Sequence, residues 1–185
     1  MKNTIQKIGL MSLLLIGITN ANSANVIVNG GIIKFTGEFV NAACSVSYET
    51  GNQTVILGQY RTDPLQGEKG LVTPKVPFYI KLVNCSTEIA GTARVSFLGN
   101  QDISNNQLLA IDGGGTNQAV ATGVGIEITD HTGKILIPDG TIFSESQKLE
   151  DGNNILPFYA RYKTTSNSVE SGVANGAASL VMNYN

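Results

Sequence analysis

The stretch Thr92-Ala93-Arg94-Val95-Ser96-Phe97-Leu98 alternates strictly, with Ala93, Val95 and Phe97 on one side and Arg94 and Ser96 on the other. Successive side chains of a strand point to opposite faces, so this pattern predicts a half-buried β-strand. Gly123–Thr129 repeats it, Val124, Ile126 and Ile128 opposing Glu127 and Thr129. Working outward, the same reading predicts strands over Ala42–Tyr48, Gln53–Tyr60, Val76–Val83, Lys134–Ile137, Ile155–Lys163 and Ala177–Tyr184. Turn residues separate them: Thr50-Gly51-Asn52, Asp63-Pro64, Thr132-Gly133, Pro138-Asp139-Gly140 and Asp151-Gly152-Asn153-Asn154. No segment keeps a 3.6-residue apolar period for three turns. Short strands at this spacing imply an all-β sandwich. Gly99–Gln118 is assigned no strand, and Asp112-Gly113-Gly114-Gly115 reads as a loop within it.

Composition fits that class. The 185 residues suit one domain. Charged residues make up 14% of the chain, against about 25% in an average soluble domain. Lys and Arg number 12 against 14 Asp and Glu. A net negative chain lacks the basic face needed to displace counterions from phosphate, which argues against a nucleic-acid partner. Enzyme signatures are also missing. The single histidine, His131, falls in an expected turn, and no Gly-x-Ser-x-Gly elbow presents a nucleophile. Gly123-Val124-Gly125 lacks the third glycine of a dinucleotide loop and runs into β-prone residues. No catalytic residue, cofactor site or metal site is assigned.

The first residues read as an export signal. Lys2 and Lys7 precede the largely apolar Ile8–Ile18, long enough for a signal-peptide core and too short to span a bilayer. Small residues follow at Ala21, Ser23 and Ala24, and cleavage after Ser23 fits best, with Ala24 as the alternative. Residues 1–23 are therefore expected to be removed, leaving 10 basic against 14 acidic groups. In an exported chain the two cysteines, Cys44 and Cys85, are expected to form one disulfide.

The two ends of the mature chain carry complementary features. Asn25–Val40 is β-prone, with Ile27, Gly31, Ile33, Phe35, Gly37 and Phe39 on its odd-numbered face. At the other end Ala178, Leu180, Met182 and Tyr184 alternate against Ala177, Ser179, Val181 and Asn183. A final strand leaves one edge that either an earlier strand or another molecule must cover.

These residues resemble a known family. Val28-Asn29-Gly30-Gly31 followed by Phe35-Thr36-Gly37-Glu38-Phe39-Val40-Asn41-Ala42-Ala43-Cys44 is similar to the start of a type 1-like fimbrial major subunit. Pro157-Phe158-Tyr159-Ala160-Arg161-Tyr162 resembles that family's penultimate strand, and Gly172 with Tyr184 resembles its C-terminal signature. The resemblance implies an incomplete immunoglobulin-like sandwich lacking its last strand. Residues 24–40 would be a donor-strand extension and residues 41–185 the pilin body. Gly37 would be the small residue admitted where the groove is shallow, and Ala177–Tyr184 would wall the acceptor groove. The carboxylate of Asn185 would be held by a periplasmic chaperone. The implied partners are like subunits in a head-to-tail polymer, that chaperone and an outer-membrane usher. The implied location is a fimbria on the cell surface, reached through the periplasm, where the polymer supports adhesion. A minor adaptor subunit and a self-contained secreted β-sandwich that binds a ligand are the alternatives.

Overall fold

The structure is a computed structural model that describes residues 27–37, 39, 42–115 and 118–185. The expected export signal and its cleavage site lie outside the described residues, as do Ala24, Asn25, Val26, Glu38 and Val40 of the expected donor segment and Asn41 of the expected body. The chain divides into two units, Met1–Glu38 and Phe39–Asn185. In the first, residues 27–37 form neither strand nor helix, and Ile27, Ile32, Ile33 and Phe35 are exposed.

The second unit is a two-sheet β-sandwich. Its strands are β1 (Ser45–Val46), β2 (Val76–Cys85), β3 (Thr92–Gly99), β4 (Gln101–Asp102), β5 (Asn105–Leu109), β6 (Val124–Asp130), β7 (Gln147–Lys148), β8 (Gly152–Thr164) and β9 (Ala178–Tyr184). One sheet has the order β1-β2-β8-β6-β5-β4 and the other β7-β3-β9. Every ladder is antiparallel. The alternation that predicts the strands also builds the core. Phe78, Ile80 and Leu82 from β2 and Leu156, Phe158 and Ala160 from β8 meet Ala93, Val95 and Phe97 from β3. Phe97 stands edge-on to Phe78 and Phe158, at 6.0 and 5.7 Å between ring centres, and so joins the two sheets.

Besides adding β7 and starting β8 at Gly152, inside the expected turn Asp151-Gly152-Asn153-Asn154, the structure departs from the sequence reading in four places. Ala42–Tyr48 pairs only at Ser45 and Val46, because the Ser47 hydroxyl accepts the Thr50 N–H at 3.2 Å and starts a helical turn, α1 (Tyr48–Gly51). Lys134–Ile137 makes only an isolated bridge, Thr129 to Ile135. Here Asp130 Oδ1 accepts the N–H groups of Thr132 and Lys134 and gathers the backbone into a turn. The Gly99–Gln118 stretch contains β4 and β5, closed by Asp102 Oδ1, which accepts from the N–H groups of Ser104 and Asn105. Finally, Gln53–Tyr60 joins no ladder, for a reason that belongs to the site.

The polar face of β6 is buried as well. Glu127 is 1% exposed, and Arg161 Nε and Lys163 Nζ from β8 donate to its two carboxylate oxygens at 2.6 and 2.7 Å. Burial alone would raise the Glu127 pKa. The hydrogen bonds and charges of Lys163 and Arg161 outweigh it and hold the group below its ordinary value.

Candidate functional site: an open-edged groove

β9 exchanges backbone hydrogen bonds with β3 from Ala93–Tyr184 to Gly99–Ala178, and Asn185 extends the ladder by exchanging both bonds with Thr92. Its opposite edge pairs with no strand among the described residues. Leu180, Met182 and Tyr184 pack on the core from β9 yet stay only half-buried.

Across from that edge runs segment 53–60. Val55 and Leu57 are half-buried against the core, while Thr54, Ile56 and Gly58 are exposed. That alternation is a strand's, and it agrees with the sequence reading. Among the described residues the segment has no neighbour to pair with.

Between these two flanks lies a cavity of about 720 Å³. Phe78, Phe97, Ile126 and Ile128 contribute to its floor, with Val55 and Leu57 on one wall and Leu180 on the other. The volume falls in the ordinary range of ligand cavities, about 300–1,000 Å³. A small polar ligand needs convergent polar side chains, and the lining offers few. The Tyr162 hydroxyl donates to the Ala174 carbonyl at 2.7 Å and is thereby occupied. Burial, assisted by Tyr60, raises the Tyr162 pKa, so the phenol keeps its proton. An apolar trench whose backbone is unpaired on each long side among the described residues has the form of a sandwich missing one strand. An extended peptide supplies what is absent: alternate side chains for the floor and main-chain groups for the edges.

The expected site residues fall into three groups. Ala178 and Leu180 line the cavity. Met182 and Tyr184 stand farther along the same strand, and burial raises the pKa of the Tyr184 phenol. Gly172 does not line the cavity; its role is packing. A Cβ there would overlap the backbone of Val120 and Ala121, so the chain crosses that segment too closely for a side chain. Cys44 and Cys85 form the disulfide. Of the odd-numbered residues expected to enter a groove, Ile27, Gly31, Ile33, Phe35 and Gly37 lie in the first unit, and Phe39 is an exposed residue of the second. The sequence reading missed the opposite wall. The alternation of Val55 and Leu57 was visible, but nothing local said that their strand has no neighbour.

The comparisons agree with this geometry. Residues 33–185 match the family model described as fimbrial protein. The fimbrial-like protein SfmA of Escherichia coli K12 is 49% identical over 158 residues, covering 85% of this chain and 87% of that one. Fimbrial subunit type 1 of Salmonella typhimurium is 46% identical over 164 residues, covering 89% and 88%. Among solved structures, a chaperone–usher pilus solved to reveal the basis of rod uncoiling superposes with a TM-score of 0.68 at 26% identity. The match covers 88% of this chain and all of that one. With a sandwich open along one edge and relatives at this level of identity, the chain belongs to the fimbrial protein family and is a structural pilin of a chaperone–usher fimbria.

Proposed function

We propose that this pilin polymerises by donor-strand exchange, residues 24–40 of one subunit filling the groove between segment 53–60 and β9 of the next. The observation that carries the reading is the groove itself: apolar on its floor and, among the described residues, unpaired along both backbone edges. Ile33, Phe35 and Phe39 supply the alternate apolar side chains, and Gly37 is the residue without one. Each large side chain taken out of water contributes roughly 1.5–3 kcal/mol, and each backbone bond made along the two edges adds about 0.5–1.5 kcal/mol. A contact of this kind joins unlike surfaces and does not close on itself, so it generates an open filament. Before assembly a periplasmic chaperone occupies the groove, and an outer-membrane usher directs the exchange. No catalytic role is assigned to any residue.

The test is to compare residues 24–185 alone with the same chain carrying a second copy of residues 24–40 after Asn185 through a short linker. The first is expected to aggregate or polymerise, and the second to be a stable monomer. A stable monomer from residues 41–185 with no donor supplied contradicts the proposal and returns the reading to a self-contained sandwich.

A further inference from the structure

The sequence holds two Asn-Gly dipeptides, Asn29-Gly30 and Asn175-Gly176. In such a pair no Cβ on the second residue hinders its backbone nitrogen from approaching the asparagine side-chain carbonyl. Ring closure still requires the asparagine backbone to rotate, so the fold decides which pair reacts.

At Asn175 the backbone is held. Its N–H donates to the Asp112 carbonyl at 3.1 Å, and its carbonyl accepts the Asp112 N–H at 2.7 Å. Gly176 is pressed against the body: a Cβ there would stand 3.0 Å from the Ala110 carbonyl oxygen and 3.0 Å from Ile126 Cδ1. Asn29 has neither restraint. Residues 27–30 are exposed and outside any strand or helix. The Asn29 Oδ1 accepts the Gly31 N–H at 3.1 Å, which folds the side-chain amide back over the Gly30 peptide. Gly31, at φ +107°, adopts a backbone that other residues rarely tolerate and completes the turn.

We infer that Asn29 is a site of spontaneous deamidation in this chain, and that the fold protects Asn175. Hydroxide takes the proton from the Gly30 nitrogen, and that nitrogen forms a bond to Asn29 Cγ. The Cγ–Nδ2 bond then breaks and ammonia departs with a proton, leaving a succinimide. Water opens the ring at either carbonyl to give an aspartyl or isoaspartyl residue at position 29, with no change of oxidation state. The product places a new negative charge among Ile27, Ile32 and Ile33. In its isoaspartyl form it also lengthens the backbone by one carbon, which shifts the alternation of the residues beyond it.

The test follows both asparagines in the monomeric fraction of the mature chain, held at mildly alkaline pH and body temperature. Readouts are peptide mass spectrometry and enzymatic methylation of isoaspartate. Asn29 is expected to convert about tenfold or more faster than Asn175, because two net backbone hydrogen bonds must open before Asn175 can react. Unfolding the chain in denaturant with the disulfide reduced should raise the Asn175 rate toward that of Asn29 and leave Asn29 unchanged. Gly30→Ala should suppress conversion at position 29 in both states. Equal rates in the folded chain would overturn the inference, as would an Asn29 that accelerates on unfolding as much as Asn175. Because the readouts are taken on the monomeric fraction, their failure is distinct from a failure of the donor-strand reading.

Discussion

The Tyr184 hydroxyl donates to the Cys44 carbonyl at 3.4 Å, so the strand that walls the groove is tied at one end to the residue that begins the disulfide. The bond is long, and its removal alone should matter little. Tyr184→Phe is expected to cost about 0.5 kcal/mol. Tyr184→Ala should cost about 2 kcal/mol, below the 3–5 of a fully buried aromatic because the ring is half-exposed. Denaturant midpoints of the self-complemented subunit measure both, and equal losses would show that the ring contributes nothing beyond its hydroxyl.

The Cys44–Cys85 bond closes a loop with a sequence separation of 41. Loop entropy assigns such a crosslink about 4 kcal/mol. Replacing both cysteines with alanine is expected to lower the unfolding free energy by an amount of that order. A double variant with an unchanged midpoint would remove the disulfide from the account of stability.

Acid should weaken the fold through two buried carboxylates. Burial opposes ionisation at both, but Lys163 and Arg161 hold Glu127 below its ordinary value near 4.5. The N–H groups of Glu145, Lys134 and Thr132 and the Thr132 hydroxyl hold Asp130 below 3.8. A carboxyl group with a depressed folded pKa stabilises fully above its unfolded value and loses that contribution as pH falls toward the folded one. Thermal midpoints should therefore be flat near neutrality with respect to these two groups and decline below about pH 4.5. Glu127→Gln should flatten the upper part of that decline and cost about 2 kcal/mol at neutral pH. That is less than the 3–5 kcal/mol of a fully enclosed pair, since Arg161 and Lys163 retain some exposure. An acid profile identical to that of the parent protein would rule Glu127 out.

Gly172→Ala should destabilise the subunit by roughly 1–3 kcal/mol, because the added methyl meets backbone and cannot be relieved by turning a side chain. Gly37→Leu is the contrast. Among the described residues a Cβ at Gly37 meets no atom within 4 Å, so subunit stability should change by less than about 0.5 kcal/mol. Circular dichroism melts of the two variants separate the cases, and a large loss from Gly37→Leu would contradict the assignment.

Assembly should respond differently. Gly37→Leu and Leu180→Asp are both expected to abolish fibres seen by electron microscopy, the first by blocking the donor and the second by placing a charge in the trench. Leu180 is only half-buried, so the isolated subunit should lose about 1–2 kcal/mol. Normal fibres from either variant would contradict the donor-strand mapping.

The residues that alternate over an unbroken run were legible in the sequence. Phe78-Tyr79-Ile80-Lys81-Leu82, Ala93–Phe97 and Leu180–Tyr184 each declare one buried face, and the structure pairs them accordingly. Less legible were short elements fixed by a single polar side chain. Ser47 ends β1, Asp102 closes β4 onto β5, and Asp130 converts an expected strand into a turn; each acts through bonds that hydropathy does not register. The groove is legible only from tertiary structure, because an unpaired edge is a property of what lies beside a strand. Gly172 was recognised by resemblance, whereas its physical reason, a backbone crossing at Val120 and Ala121, lies more than fifty positions away in the chain.

The position of the disulfide has a mechanical consequence. Tension drawn along the chain from Phe39 meets Cys44 before it reaches β1, and there the covalent link diverts load into Cys85 at the end of β2. β2 is zipped to β8 from Val76–Ala160 to Cys85–Gly152. Pull along that path strains many ladder bonds in shear at once, while the two-residue pairing of β1 carries little of it. A stretched fibre built from such subunits would bear traction through its broad sheet and keep each bead intact.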